Sequence, residues 1–160
     1  MGESEERYAI ERLKYRYLRC LDQKRWDELG SCLTDDATTS YGDGKFSFKG
    51  RDAILKFLSE AMGADSFHSS HQVHQPEIEF QDASSATGIW ALQDTVIDTK
   101  QNFTLRGAGF YDDQYRKIDG EWKIFHTGYR RLYEESESRA DVPGLRLTAS
   151  MWGQHKRPSG

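Results

Sequence analysis

The sequence predicts an α+β domain, with helices before Ser66 and long strands after it. Apolar residues recur at helical spacing in the first part, whereas aromatic and β-branched residues dominate the second. Helices followed by a meander of antiparallel strands are typical of the α+β class. Because a long, twisted sheet must curl over the helices to bury one face, we expect a cone-shaped, antiparallel or mixed sheet with a pocket between sheet and helices.

Length and charge limit the functions that this chain can have. Its 160 residues are enough for one domain, and its formal net charge of −4 argues against nucleic acid or an anionic membrane as a partner. The chain has no apolar run of about 20 residues and no signal-peptide pattern after Met1, so we expect a cytoplasmic protein. Cys20 and Cys32 lack metal-ligand spacing and are expected to be buried free thiols.

Three helices are predicted in the first part of the chain. The first begins at Glu5 and carries apolar side chains at three- and four-residue steps: Ile10, Leu13, Tyr17 and Leu21. A short second helix, which ends near residues 34–36, carries three large apolar side chains: Trp26, Leu29 and Leu33. The third begins at Asp52 and has one apolar side: Ile54, Phe57, Leu58 and Met62.

The remaining elements are predicted to be strands. Residues 37–41 and 45–49 form a hairpin around Gly42-Asp43-Gly44. Four long strands follow, rich in aromatic and β-branched residues: 66–80, 84–98, 103–117 and 121–133. We therefore expect one domain over residues 1–135. Residues 136–160 are expected to be a C-terminal arm on this or a neighbouring subunit, or a disordered tail.

His71 is the first polar residue that does not fit a plain core. On an extended chain it shares the interior face with Phe67, Ser69 and Val73, while the opposite face carries only polar residues. One interpretation is a core histidine that bonds a backbone carbonyl group. The other is a functional imidazole in the pocket, since histidine exchanges protons near neutral pH.

Asp22 and Arg131 also occupy positions that a simple core would not use. Asp22 falls at the C-terminal end of the first helix, where the helix dipole disfavours a carboxylate. It is either a solvated residue that caps the next turn or a carboxylate directed into the pocket. Arg131 is either a surface cation–π partner or a buried donor for an anionic or oxyanionic ligand. Four other residues of its strand are predicted to share its face: Phe125, Thr127, Tyr129 and Tyr133.

Several short segments together resemble one known family. They are, in chain order, Tyr17-Leu-Arg-Cys-Leu-Asp22, Thr39-Ser-Tyr41, His71 ahead of Pro76-Glu-Ile, Ala86-Thr-Gly, Lys117-Ile-Asp-Gly120 and Thr127-Gly-Tyr-Arg-Arg131. This set resembles the SnoaL-like branch of the nuclear transport factor 2-like superfamily, which includes scytalone dehydratase. Within that branch it is most similar to the bacterial bile acid 7α-dehydratases.

The resemblance implies an enzyme and a set of site residues. The implied catalytic residues are Tyr17, Asp22, Tyr41, His71 and Arg131. The implied reaction removes water from a hydroxylated 3-oxo-Δ4 steroid or bile acid, free or as a CoA thioester, with no cofactor and no metal. The resemblance also implies a homo-oligomer, a trimer or a dimer, and a small hydrophobic substrate as the only other partner.

Roles for these residues follow as hypotheses from their chemistry. His71 would accept one proton and return it, and Asp22 would orient the imidazole ring. Tyr17 and Tyr41 would donate hydrogen bonds to substrate oxygens, and Arg131 would stabilise charge at one end of the pocket.

Two other classes of function remain open at this point. A related isomerase or cyclase acting on a polyketide or terpenoid would keep His71 and Asp22 but tolerate loss of Arg131. A non-catalytic subunit that only binds a ligand or a partner protein would have a charged or filled pocket.

Overall fold

The computed structural model describes residues 2–152, and its elements follow the predicted order of helices and then strands. The helices are α1 (Glu3–Asp22), α2 (Trp26–Ser31) and α3 (Arg51–Met62). The strands are β1 (Leu33–Tyr41), β2 (Phe46–Lys49), β3 (Phe67–Phe80), β4 (Ser85–Asp98), β5 (Phe103–Ile118) and β6 (Glu121–Ser138). None of the helices within residues 2–152 has the length and apolarity needed to cross a membrane.

The strands form one curved, mixed sheet of six strands in the order β2-β1-β6-β5-β4-β3. All neighbouring pairs are antiparallel except β1 and β6, which run parallel. Helix α1 packs against β3 at one edge of the sheet and also against β6 in its interior. The sheet therefore bends around α1, which confirms the predicted α+β class and a curved sheet over three helices.

The second helix is shorter than predicted. It ends at Ser31, and Leu33 begins β1 instead of extending the helix. Leu33 lies four residues after Leu29, so its spacing imitates a helix. The backbone carbonyl of Cys32, however, accepts a hydrogen bond of 2.8 Å from the Ile124 amide of β6. Pairing with the sheet therefore replaces the next helical turn, and the prediction for Leu33 is wrong.

Two bulges in β6 change which of its side chains share a face, so part of the prediction for this strand is wrong. The register between β5 and β6 shifts at Phe125 and again at Leu132, and each extra residue reverses the side to which the following residues point. Phe125 lies on the outer face under the Arg116 guanidinium, 3.3 Å from the ring centre, and Tyr133 is 57% exposed. The predicted face is therefore wrong for Phe125 and Tyr133.

A buried ion pair that the sequence analysis missed lies between α1 and the sheet. The Lys14 ammonium lies 2.7 Å from an Asp113 carboxylate oxygen, and neither side chain is exposed. The same oxygen accepts a hydrogen bond from the Tyr115 hydroxyl, and the ammonium lies 3.5 Å above the Tyr111 ring centre. Burial lowers the pKa of Lys14, while the adjacent Asp113 opposes that effect. The pair therefore depends on both partners being present.

Both cysteines are buried free thiols, as predicted. Burial raises the pKa of Cys20 to about 11, and burial also raises the pKa of Cys32. Because only the thiolate is a good nucleophile, neither thiol is reactive near neutral pH.

The chain continues as β6 to Ser138, three residues past the predicted domain boundary at Glu135, and then forms a 3-10 turn at Arg139–Asp141. Ser150 Oγ lies 2.7 Å from His68 Nε2, and the Trp152 ring lies 4.5 Å from the Lys24 ammonium. Residues 136–138 of the predicted arm thus belong to β6, and Ser150 and Trp152 contact their own subunit, while most side chains of residues 139–149 are exposed. Residues 153–160 of that arm lie outside the described residues.

We expect removal of one partner of the buried pair to be far more damaging than removal of both. Lys14→Met leaves the Asp113 carboxylate buried without a counter-charge and should lower the free energy of unfolding by about 3–5 kcal/mol. The double variant Lys14→Met/Asp113→Leu should recover most of that loss. Urea denaturation measures both effects.

Arg106→Met serves as the control, because it breaks only an exposed ion pair with Glu137. It should change the free energy of unfolding by less than about 1 kcal/mol. A single Lys14→Met variant as stable as the unmodified protein would contradict this account.

Candidate active site

His71 and Asp22 form a hydrogen-bonded pair between α1 and β3. The His71 Nδ1 atom lies 2.7 Å from Asp22 Oδ1, and the His71 side chain is 11% exposed. A carboxylate can only accept hydrogen bonds, so Nδ1 carries a proton, and in the neutral ring Nε2 then presents its lone pair. Nε2 has no hydrogen-bond partner among residues 2–152, and His71 lines an apolar pocket between α1, α3 and the sheet. The ring is therefore arranged as a base that faces this pocket.

Two further donors from β3 hold the Asp22 carboxylate in place. The backbone amide of His71 donates to Asp22 Oδ2 at 2.8 Å, and Ser69 Oγ donates to Oδ1 at 2.8 Å. These bonds compensate for the unfavourable position of a carboxylate at the last residue of α1. Asp22 is therefore not the solvated residue of the first interpretation, and His71 does not bond a backbone carbonyl through its ring.

Tyr17 and Tyr41 bring two phenols together at the inner end of the same pocket. Their hydroxyl oxygens are 2.9 Å apart, and both side chains are buried. Burial is the main reason that the pKa of each phenol is raised, although the hydrogen bond from Tyr17 partly opposes the effect at Tyr41. Both phenols therefore stay protonated near neutral pH. One hydroxyl donates to the other, which leaves one proton for an acceptor in the pocket.

Arg131 reaches the pocket from β6, but its guanidinium already has partners. Both of its terminal nitrogens donate to the Asp94 carboxylate, the Nη2–Oδ2 distance being 2.9 Å, and its Nε lies 3.0 Å from Glu134 Oε2. Burial disfavours the charged guanidinium, but the hydrogen bonds and charge of Asp94 outweigh this and raise the pKa of Arg131. Its carbon Cζ also lies 4.9 Å from the Tyr129 ring centre.

Gly107 provides the space that this arrangement needs. Gly107 of β5 is the register partner of Asp94 in β4. The Arg131 side chain starts on β6 and crosses β5 at Gly107 to reach Asp94. A Cβ atom at position 107 would lie 2.4 Å from Arg131 Nη1 and 2.8 Å from Cζ. The guanidinium can therefore lie against the strand only because residue 107 has no side chain.

The pocket that collects these groups has a volume of about 260 Å³ and mainly apolar walls. Apolar side chains from α1, α3 and four strands line it: Leu21, Phe46, Phe57, Leu58, Ala61, Met62, Phe67, Val96, Phe103 and Leu105. Its polar lining comes from Tyr17, Tyr41, His71, Arg131 and their neighbours. The structure thus places four of the five predicted residues on the wall of one pocket, and the fifth, Asp22, does not line it but bonds His71.

Sequence reasoning missed three polar lining residues: Asp94, Tyr111 and Glu134. A signal for Asp94 was present, because it alternates on the inner face of its strand with Trp90, Leu92 and Val96. Glu134 could not be found by alternation, since the bulge at Leu132 reverses its direction.

The buried phenols predict an unusual alkaline titration. Burial raises the pKa values of four tyrosines: Tyr17, Tyr41, Tyr111 and Tyr115. The folded state thus favours the protonated phenols. Their contribution to the free energy of unfolding is fully present below about pH 10, the pKa of tyrosine in the unfolded chain, and is lost as pH rises through the higher pKa values of the folded state. Phenolate absorbance should therefore show these four ionising only as the protein unfolds, with circular dichroism measured in parallel.

The matched control is the same titration in concentrated urea, where all eight tyrosines of the chain should ionise together. Complete ionisation at about pH 10 with the fold intact would contradict the burial of the phenols.

Comparisons with known proteins agree with this architecture. A family model of the SnoaL-like domain matches residues 2–128. A similar solved structure, provisionally named a scytalone dehydratase from Novosphingobium aromaticivorans DSM 12444, is 28% identical, with 81% of this chain and 86% of that chain covered and a TM-score of 0.75.

Two other structures are more distant in sequence. The hexachlorocyclohexane dehydrochlorinase LinA-type3 from Novosphingobium barchaimii LL02 is 22% identical, with 91% of this chain and 96% of that chain covered and a TM-score of 0.77. A provisionally named aromatic ring hydroxylase from Novosphingobium aromaticivorans is 18% identical, with 88% and 98% covered and a TM-score of 0.75. At these identities the likeness shows the fold alone. Since the family model spans most of the chain, the protein belongs to the SnoaL-like family.

Proposed function

We propose that this protein is a dehydratase that removes water from a hydroxylated 3-oxo-Δ4 steroid or bile acid, as a 7α-dehydratase does. The proposal rests on the hydrogen bonding of the His71 ring. Asp22 holds its Nδ1 at 2.7 Å, which leaves Nε2 as a free base at the wall of an apolar pocket. Such a base can take a proton from carbon if the substrate itself makes that proton acidic.

The pocket suits a flat, mostly apolar molecule with a few oxygens. Aromatic and aliphatic side chains form most of its walls, and its polar donors are few: the hydroxyl groups of Tyr17, Tyr41, Tyr111 and Tyr129 and the guanidinium of Arg131. Small-molecule sites commonly combine apolar walls with a few polar groups that fix orientation. A steroid with one ketone and one hydroxyl group matches this distribution.

The first step would form a dienolate. In a 7α-hydroxy-3-oxo-Δ4 steroid the proton at C6 is acidified through the conjugated enone. His71 Nε2 removes this proton, and the electron pair of the C–H bond moves through the enone to the oxygen at C3. Asp22 stabilises the imidazolium that results, because its carboxylate already accepts the Nδ1 proton.

The second step would expel the hydroxyl group. The electron pair returns from the C3 oxygen and forms the double bond between C6 and C7, while the bond between C7 and oxygen breaks. The imidazolium returns its proton to the departing oxygen, so that water leaves and His71 is neutral again. Atoms and electrons balance without an oxidant or a reductant.

Hydrogen-bond donors would lower the barrier where charge develops. The free phenol proton of the Tyr17–Tyr41 pair can donate to a substrate oxygen. Preorganised donors are effective in a buried site because they need little reorganisation during the reaction. Arg131 is fixed by Asp94 and can serve the second substrate oxygen.

Two other observations support an elimination. One of the similar structures, at 28% identity, has the provisional name of a dehydratase. A non-catalytic subunit would be expected to have a charged or filled pocket, whereas this one is open, with a volume of about 260 Å³ and mainly apolar walls, and its charged groups are confined to one end around Arg131.

A direct test is the ultraviolet spectrum of the product. Incubation with a 7α-hydroxy-3-oxo-Δ4 steroid should give the red-shifted absorbance of the conjugated dienone. The corresponding steroid without the hydroxyl group at C7 is the control and should not change. Unchanged absorbance for hydroxylated steroids, including the CoA thioesters, would contradict the proposal and favour the isomerase or cyclase alternative.

A double-mutant cycle tests whether His71 and Asp22 act as one unit. His71→Ala should lower kcat by about 10²- to 10⁴-fold, because it removes the general base. The double variant His71→Ala/Asp22→Ala should cost little more than His71→Ala, since residues that act together are not additive. Steady-state kinetics with the steroid measures each step of the cycle.

Ser69→Ala is the control for indirect effects. It removes one hydrogen bond to Asp22 but leaves the contact between Asp22 and His71. Its effect on kcat should be small compared with either single variant. Full additivity in the double variant, or activity retained in His71→Ala, would mean that another group moves the proton.

A further inference from the structure

The charge of Arg131 is more than compensated inside the pocket. Asp94 bonds both terminal nitrogens of the guanidinium, and Glu134 lies 3.0 Å from its Nε. Two carboxylates thus surround one cation, which leaves an excess of negative charge. The Asp94 side chain is 4% exposed, whereas Glu134 is 47% exposed and lies at the rim of the pocket.

We propose that Glu134 is a specificity-determining residue that keeps anionic groups away from Arg131. The pocket would accept a neutral oxygen, such as a ketone or a hydroxyl group, at this position and would reject a carboxylate, sulfonate or phosphate there. The inference rests on the pocket proposed above as the active site, but it does not depend on the elimination reaction.

The fold prevents Arg131 from turning toward an incoming anion. The bulge at Leu132 directs Glu134 to the inner face of β6, the same face as Arg131. Gly107 lets the guanidinium lie against β5, where Asp94 fixes it from the neighbouring strand. A bidentate pair of this kind is rigid, because both of its hydrogen bonds must break before the side chain can rotate.

Arg131 can still donate to a neutral acceptor. A guanidinium has five N–H groups, of which Asp94 engages two and Glu134 lies against a third. The remaining N–H groups can serve a ketone or hydroxyl oxygen without adding a charge to the site. An anion would in addition lose its hydration among apolar walls and meet two carboxylates that no further cation balances.

The next residue in the chain provides a matched control. Glu135 is the register partner of Arg106 and points to the opposite face of β6 from Glu134. It does not line the pocket. Glu134→Gln and Glu135→Gln therefore make the same change in net charge at adjacent positions, but only the first alters the environment of Arg131.

The experiment uses two fluorescent dyes with the same ring system. N-phenylnaphthylamine is neutral, whereas anilinonaphthalene sulfonate carries one negative charge. Dissociation constants are measured by fluorescence titration for the unmodified protein and for both glutamine variants. Ala61→Trp, which fills the rim of the pocket, identifies the part of each signal that comes from this site.

The unmodified protein should bind the neutral dye more tightly. Glu134→Gln should strengthen binding of the sulfonate dye by about fivefold or more, as expected for removing one nearby charge. The same variant should leave binding of the neutral dye nearly unchanged, and Glu135→Gln should leave both dyes nearly unchanged.

Three results would overturn the inference. The first is that Glu134→Gln does not favour the sulfonate dye, and the second is that Glu135→Gln has the same effect. The third is that Ala61→Trp removes no binding of the neutral dye, since the pocket would then not accept such a ligand. None of these measurements uses the enzymatic reaction, so an absence of dehydratase activity is a separate result.

Discussion

The carboxylate of Asp22 connects the two halves of the fold at the point where the chemistry is placed. It ends α1 and accepts three hydrogen bonds from β3, from Ser69 Oγ, the His71 amide and the His71 ring. A carboxylate at this end of a helix is unfavourable by itself, so the sheet must supply compensating donors. The same bonds that fix α1 on the edge of the sheet therefore fix the tautomer and direction of His71.

The inward polar groups of the candidate site are paired before a ligand arrives. Tyr17 bonds Tyr41, Asp22 bonds His71, and Arg131 bonds Asp94. Pairing removes most of the penalty for burying these groups in apolar surroundings. It also leaves specific groups free to bond a ligand: one phenol proton, one imidazole lone pair and the remaining guanidinium N–H groups.

The fold and much of the candidate site could be predicted because they depend on local periodicity. Alternation along β3 placed His71 inward, and helical spacing placed Tyr17 in the apolar stripe of α1. The errors have a common cause in contacts between distant segments. Pairing with β6 turned Leu33 from helix to strand, and bulges at Phe125 and Leu132 reversed faces that strict alternation had assigned. Lys14 of α1 was missed because its partner, Asp113, lies far along the chain in β5.

The bulges also explain why the charge of the pocket could not be inferred from the sequence. Strict alternation would place Glu134 on the face opposite Arg131, whose charge would then be free to attract an anion. The extra residue at Leu132 instead brings the carboxylate to 3.0 Å from Arg131 Nε. A single inserted residue thus changes Arg131 from a site for anions into a fixed donor for neutral oxygens. In such a pocket, negative charge would arise only during the reaction, on the substrate oxygen that the donors already face.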